Sequence, residues 1–271
     1  MAAERTENDM QIPTTASMGA PSSGRSILGT RIDVVDYDQA VRRIVEWGHQ
    51  HYARFVCAAN VHVIMEGYDD AEYREMINQA DMVTSDGMPL VWMLRAQGHR
   101  ASRVYGPDLM RLLLETCERE GLSIGLFGGS PRVLDQLLCA IQKQHPNLSV
   151  AYACAPPFRE LTPAEDARIV QDIEDAGVQI LFVGLGCPKQ ERWIRKHRDL
   201  LHLPMLGVGA AFDFIAGTKR HAPAWLQGIG LEWLFRLLIE PRRLWRRYAV
   251  HNPRFVVFAA LQLLGAKNFQ L

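Results

Sequence analysis

The chain predicts an α/β protein: a doubly wound, mostly parallel, Rossmann-like sheet followed by a helical C-terminal appendage. Three observations carry that expectation. Short apolar runs suited to buried strands alternate with stretches of helical period, the signature of a parallel sheet covered on both faces. The turns that follow these runs are rich in glycine, asparagine and aspartate. From about Ala222 the alternation stops and the pattern is helical only, enriched in Trp, Arg and Leu.

In chain order, a helix is expected over residues 36–50 and a strand over 55–60. A long helical stretch then covers 64–79, a short strand 81–85 ends at Asp86-Gly87, and a helix covers about 89–97. Asp108 begins an amphipathic helix with leucines at 109, 112 and 113, stopped by Gly121 as a left-handed terminator. The rhythm then repeats: strand 123–127, tight turn 128–131, helix 132–144, strand 148–153. Thr162 caps a helix over 162–176 with Pro163 in its first turn. A strand over 179–183, a helix over 188–200 and a last strand over 204–208 complete about six parallel strands. The expected organisation is a disordered tail over 1–25, a Rossmann-like catalytic domain over 26–221, and a membrane-associating helical appendage over 222–271.

Composition narrows the function classes. Thirty basic residues balance thirty acidic ones in 271, which gives no support to general nucleic-acid binding. Five cysteines, odd in number and widely spaced without a Cys-x-x-Cys pair, fit a reducing, cytoplasmic setting. The first 25 residues lack the apolar core of a secretion signal. No run approaches the roughly 18 apolar residues of a membrane-spanning helix. The longest, over 255–265 and interrupted by Gln262, suits lying on a membrane but not crossing one.

In an open parallel sheet, ligands bind beyond the carboxyl ends of the strands. Here those ends carry Asn60, Thr84-Ser85-Asp86-Gly87, Gly128-Gly129-Ser130, the loop from Gly184 to Glu191, and Gly209-Ala210-Ala211-Phe212-Asp213. Gly128 and Gly129, opening a helix, suit a phosphate cradle or an ordinary strand-to-helix turn. Gly207-x-Gly209-x-x-Phe212 misses the dinucleotide fingerprint by a bulky third residue, and no Walker lysine motif is present. Asp86, at a strand end beside a glycine, is the candidate general base; a plain Asp-Gly turn is the alternative. Asp81 is expected to pair locally. Asp213 suits a ribose or a loop role, Glu191 complements a helix dipole, and Gln190 is placed to offer its amide to a sugar or phosphate. His62, His221 and His251 make no metal-spaced set with nearby carboxylates, and no Asp-x-Asp pair is present to grip a nucleotide-bound cation.

The span from Leu231 to Tyr248 clusters five arginines with Trp233, Phe235, Trp245 and Tyr248. Arginine's planar fork matches phosphate oxygens and stays charged, so a diphosphate, a nucleotide or an anionic membrane is the expected partner. A solvated basic helix is the alternative.

Several strings taken together resemble one family. They are Ala59-Asn60, Ser85-Asp86-Gly87-Met88, Arg103-Val104-Tyr105-Gly106-Pro107-Asp108-Leu109, Phe127-Gly128-Gly129, Val183 to Glu191, Gly207 to Phe214, Gly217-x-x-x-Arg220-x-Ala222-Pro223, and Glu232-Trp233 to Arg247-Tyr248. In this order, over about residues 30–250, they resemble the WecG/TagA/CpsF glycosyltransferases of bacterial surface-polymer synthesis. The resemblance implies an inverting, metal-independent transferase with no cofactor. Its implied donor is a UDP-sugar, commonly of N-acetylmannosamine or its uronic acid, and its implied acceptor a sugar on a polyprenyl-diphosphate carrier. It further implies peripheral attachment to the inner face of the cell membrane and self-association. By the same resemblance Asp86 is the base, and Asn60, Arg103 and Gln190 are active-site positions. Asp213 contacts the nucleotide, while Arg236, Arg243 and Arg246 close over the diphosphate; Trp245, Arg247 and Tyr248 are left to face the membrane or the body. Ala58 departs from the pattern, where a relative has threonine, which bears on how the sugars are positioned. A nucleotide- or lipid-binding module that kept the fold and lost catalysis is the alternative.

Overall fold

The structure, a computed structural model, describes residues 24–269. Residues 1–23 of the expected tail lie outside the described residues, and its last residue, Arg25, opens β1 (Arg25–Ile27). β1 pairs antiparallel with β2 (Thr30–Ile32) through a turn in which Leu28 and Gly29 have positive φ. The apolar pattern predicts no strands here, because three residues are too few for alternation to register.

Six parallel strands form the central sheet: β3 (Arg54–Ala59), β4 (Met82–Ser85), β5 (Ile124–Gly128), β6 (Val150–Cys154), β7 (Ile180–Gly184) and β8 (Pro204–Gly207). Their order is β4-β3-β8-β7-β5-β6. Central residues such as Phe55, Val56, Leu126, Phe182 and Leu206 are almost inaccessible, as a sheet covered on both faces requires.

One face carries α1 (Tyr37–His49), α5 (Gly106–Glu120), α6 (Pro131–Gln144) and α9 (Ala211–Ile215). The other carries α2 (Val61–Asp69), α3 (Ala71–Asn78), α4 (Met88–Ala96), α7 (Pro163–Asp175) and α8 (Lys189–His197). Asp36 and Thr162 cap α1 and α7 through side-chain oxygens, the latter in a reciprocal box with Glu165. The single helix expected over 64–79 is two. Asp70 takes extended backbone and accepts a hydrogen bond from Tyr73 N at 3.0 Å, a local bond that competes with helix continuation.

Beyond Ala222 the chain is helical: α10 (Ala224–Gly228), α11 (Glu232–Ile239) and α12 (Pro241–Leu263). Gly230, at φ +70°, lets this segment lie against α4, since a Cβ there would come within 2.5 Å of the Trp92 ring. α12 buries Leu244, Phe255 and Ala259, stacks Phe258 on Tyr68 at 4.4 Å, and clasps the hairpin. Gln262 Nε2 donates to Ser26 O at 2.9 Å and its Oε1 accepts from Leu28 N at 3.0 Å. Among the described residues no helix is long and apolar enough to cross a membrane.

Candidate active site

Because all six strands are parallel, their carboxyl ends open on one edge of the sheet, and there the polar loops converge. Two cavities lie on this edge. The larger, about 950 Å³, is walled by Gly129, the loops after β7 and β8, Asp213, Arg243 and Lys219. The second, about 580 Å³, runs between α4 and α12 and is mostly apolar. They meet at four shared residues: Asn60, Asp86, Arg236 and Arg247.

Asp86 sits at this junction. β4 ends at Ser85, and the Asp86 N–H continues the sheet to Ala59 O at 2.8 Å. Its carboxylate Oδ1 accepts from Gly106 N, the first residue of α5, at 2.7 Å, where helix N–H groups lack internal partners. Oδ2 accepts a longer bond from Asn60 Nδ2 at 3.4 Å. Asn60 Oδ1 meanwhile caps α2, taking His62 N at 3.0 Å, so one side chain starts a helix and braces the acid. Burial pushes the Asp86 carboxyl above its ordinary range, against the lowering by Arg103 and the Gly106 N–H. A partly accessible carboxylate with a raised pKa has the properties of a general base.

Arg103 does not point its guanidinium freely into the cavity. Nε donates to the Asp86 carbonyl at 2.6 Å, Nη2 to Glu232 Oε2 at 2.6 Å and Nη1 to Gln227 Oε1 at 3.4 Å. The same fork stacks over Tyr105 at 4.0 Å, whose hydroxyl donates to Glu232 Oε1 at 2.8 Å. Glu232 and Tyr105 carried no assigned role in the sequence, and only this pairing across 129 residues reveals one.

Gln190 is buried, and its carbonyl is spent between two loops. Oε1 accepts from Gly186 N at 3.1 Å and Gly209 N at 3.0 Å, while Nε2 donates to Glu191 Oε1 at 2.7 Å. It ties the β7 loop to the β8 loop. Glu191, expected to complement the helix dipole, is wholly buried, with Oε2 lacking a hydrogen-bond partner; burial pushes its pKa up to about 6.

The two glycines after β5 differ in role. Gly128, at φ +132°, sits where a Cβ would approach the Gly184 carbonyl carbon to 2.5 Å, so it serves strand-end packing and does not line either cavity. Gly129 lines the larger cavity, but its N–H donates to Gly184 O at 3.1 Å, and Ser130 Oγ caps α6. The Gly129 N–H is thus engaged within the protein.

Asp213 Oδ1 pairs with Lys219 Nζ at 3.2 Å, and Lys219 reaches Glu240 at 3.3 Å; Glu240 also pairs with Arg243. Arg236 lies over the Phe214 ring at 5.5 Å. Arg247 is largely enclosed, with Nε lacking a hydrogen-bond partner. The structure thus places Arg236, Arg243 and Arg247 in the cavity walls, while Arg246 is exposed and lines neither cavity. Helix phase is the reason. Leu244 marks the inward face of α12; at 3.6 residues per turn Arg247 lies about 60° from it around the helix, whereas Arg246 lies about 160° away, toward solvent. Asp81 pairs with Arg54 and Arg198, away from the cavities.

The histidines need one correction. His62 and Glu66, four apart on α2, meet His251 of α12, and one ligand atom from each lies within 4.8 Å of the others. It is the one such set among the described residues, and a reading along the chain does not bring His251 to it. Arg247 lies beside it. Burial first, then that guanidinium, pushes His62 down to about 3, and burial also lowers His251. Both shifts favour the neutral imidazoles.

The junction thus unites a braced carboxylate, guanidinium groups and the glycine-lined, more polar of the two cavities, suited to deprotonating a hydroxyl beside a bound anion. The sequence itself matches the glycosyl transferase WecG/TagA/CpsF family model over residues 25–269, reaching beyond position 250 through α12. The chain belongs to the WecG/TagA/CpsF family of glycosyltransferases.

Proposed function

We propose that the protein is an inverting, metal-independent hexosyltransferase. It moves N-acetylmannosamine or a related hexose from a UDP-sugar to a sugar on a polyprenyl-diphosphate carrier, in bacterial cell-surface polysaccharide synthesis. The observation that carries this reading is the placement of Asp86 between two cavities, one more polar and one mostly apolar, with Arg236 and Arg247 shared by both.

The donor occupies the larger cavity, its ribose near Asp213 and its diphosphate against Arg236, Arg243 and Arg247. The acceptor hydroxyl gives its proton to the Asp86 carboxylate as its oxygen bonds to the anomeric carbon. The bond from that carbon to the UDP oxygen breaks with inversion. The arginines stabilise the charge that develops on the departing diphosphate. Gln190, by holding the two glycine loops together, shapes the donor side; Arg103 and Asn60 hold Asp86.

Attachment to the inner membrane face is supported by exposed apolar side chains among the C-terminal arginines, including Leu238, Trp245 and Val256. Trp and Arg favour the headgroup layer. The test is a screen of UDP-sugars with a short-chain, lipid-linked N-acetylglucosamine acceptor, run with and without EDTA. Transfer in EDTA from one UDP-sugar is the expected result. No transfer from any UDP-sugar overturns the reading, and activity only with added magnesium overturns its metal-free part.

A further inference from the structure

The proposed transfer step makes no use of the two histidines and the glutamate where α12 meets α2. His62 and Glu66 lie one turn apart on α2, and His62 Nδ1 stands 3.5 Å from Glu66 Oε1. His251 of α12 brings Nε2 to 3.9 Å from the same oxygen. The two imidazoles meet at 5.2 Å with their planes 66° apart, so they converge on Glu66 and do not stack. We infer that these three side chains form a site for a divalent transition metal of the zinc class, at the seam between α2 and α12 and with no part in the transfer step.

Three observations select a metal over a plain ion-pair latch. The separations approach the edge of a tetrahedral site, about 3.3 Å for ligand bonds of about 2.0–2.1 Å, and one ligand atom from each residue lies within 4.8 Å of the others. His62 Nδ1 is buried without a hydrogen-bond partner, a state in which proteins seldom leave a polar atom. The same ring bonds to the Cys187 backbone; with Nδ1 bare, that bond falls to Nε2 and leaves the Nδ1 lone pair facing Glu66, the way a ligand histidine is oriented. Two imidazoles and a carboxylate suit zinc, and three protein ligands leave a fourth position for water. His62 and His251 line the cavity between α4 and α12, which gives water its access. Arg247, beside the set, opposes a dication and Glu66 favours one, so the ion is held less tightly than in a purely structural site. The seam already carries Phe258 on Tyr68 and Arg254 on Asp69; a bound ion adds a further tie between appendage and body.

Zinc and cobalt(II) are the probes, titrated into the untagged full chain after treatment with a chelator. One ion per chain is expected, with a cobalt spectrum of nitrogen and oxygen ligands and no thiolate band, and zinc should slow amide exchange in α12. Glu66→Gln and His251→Ala, on separate helices, should each weaken uptake by about tenfold or more. Cys139→Ser and His202→Ala, at exposed positions, should leave it unchanged. Arg247→Met, which removes an opposing charge, should tighten it. The inference is overturned by a lack of stoichiometric uptake, by a thiolate band, by uptake that survives both ligand substitutions or fails to tighten in Arg247→Met, or by α12 exchange that zinc leaves unchanged. The titration contains no sugar nucleotide, so its failure leaves the transferase reading standing, and a failure of transfer leaves the site standing.

Discussion

Arg103 couples the candidate base to the C-terminal helices: one edge of its guanidinium holds the Asp86 carbonyl and another holds Glu232, each at 2.6 Å. The backbone that carries Asp86 is therefore anchored to α11. Glu232→Gln replaces the ion pair by a bond from the charged guanidinium to a neutral amide, a loss of about 1–2 kcal/mol. Transfer should fall about tenfold per 1.4 kcal/mol misapplied to the transition state. Amide exchange across α11 should quicken. Unchanged exchange and unchanged rate would show that the anchor carries no function.

Asp86→Asn should fold and bind UDP while transfer drops by about two to four powers of ten, the span of general base catalysis. In the native enzyme, transfer should decline as pH falls, with the midpoint above the ordinary aspartate value of about 3.9, because burial raises this carboxyl. The acidic limb should disappear from the residual rate of the Asn variant. A limb that persists there belongs to another group.

Arg247→Ala and Arg246→Ala separate two adjacent arginines. The first lines both cavities and the second lines neither. Arg247→Ala should raise the KM for the nucleotide sugar or lower kcat by about tenfold or more, the worth of a charge-assisted contact to diphosphate. Arg246→Ala should stay within about twofold, as surface substitutions do. The reverse order would restore the assignment made from sequence.

Glu191 offers a test of stability without catalysis. Its folded pKa of about 6 lies above the ordinary value of 4.5, so its ionised form is disfavoured by folding. Its stability contribution is complete below about pH 4.5 and is lost as pH rises through about 6. Glu191→Gln should therefore raise the unfolding free energy at pH 8 by about 2 kcal/mol and leave it nearly unchanged at pH 4. Denaturant unfolding at the two pH values checks both limbs, and a destabilised variant at pH 8 would refute the account.

The chemistry-bearing loops were legible because parallel strands bring all their carboxyl ends to one edge; Asn60, Asp86, Gly129, Gln190 and Asp213 need no further information to converge. The cap at Thr162 was legible for a local reason, since its bond spans three residues, while Asp36, read as the first helical residue, is the cap of α1. What the sequence withheld was long-range. Nothing along the chain pairs Glu232 with Arg103, or His251 with Glu66. Gln190 was recognisable as a site residue, yet its carbonyl faces two backbone amides, a fact set by how closely the β7 and β8 loops approach. Among the clustered arginines, residue type marked the region but not the inward face. The four-residue spacing of Arg243 and Arg247 carries that information once Glu240 and Leu244 fix the phase of α12.

The clasp of Gln262 on Ser26 spans 236 residues, and α12 closes the second cavity that opens on Asp86. In biosynthesis, α12 is made after every element it packs against. Until it leaves the ribosome and docks, Arg243 and Arg247 are missing and Asp86 faces an open, wet cleft. A nascent chain thus carries Asp86 before Arg243 and Arg247 are in place, so under the proposed mechanism it would hold the base without the arginines that face the departing diphosphate.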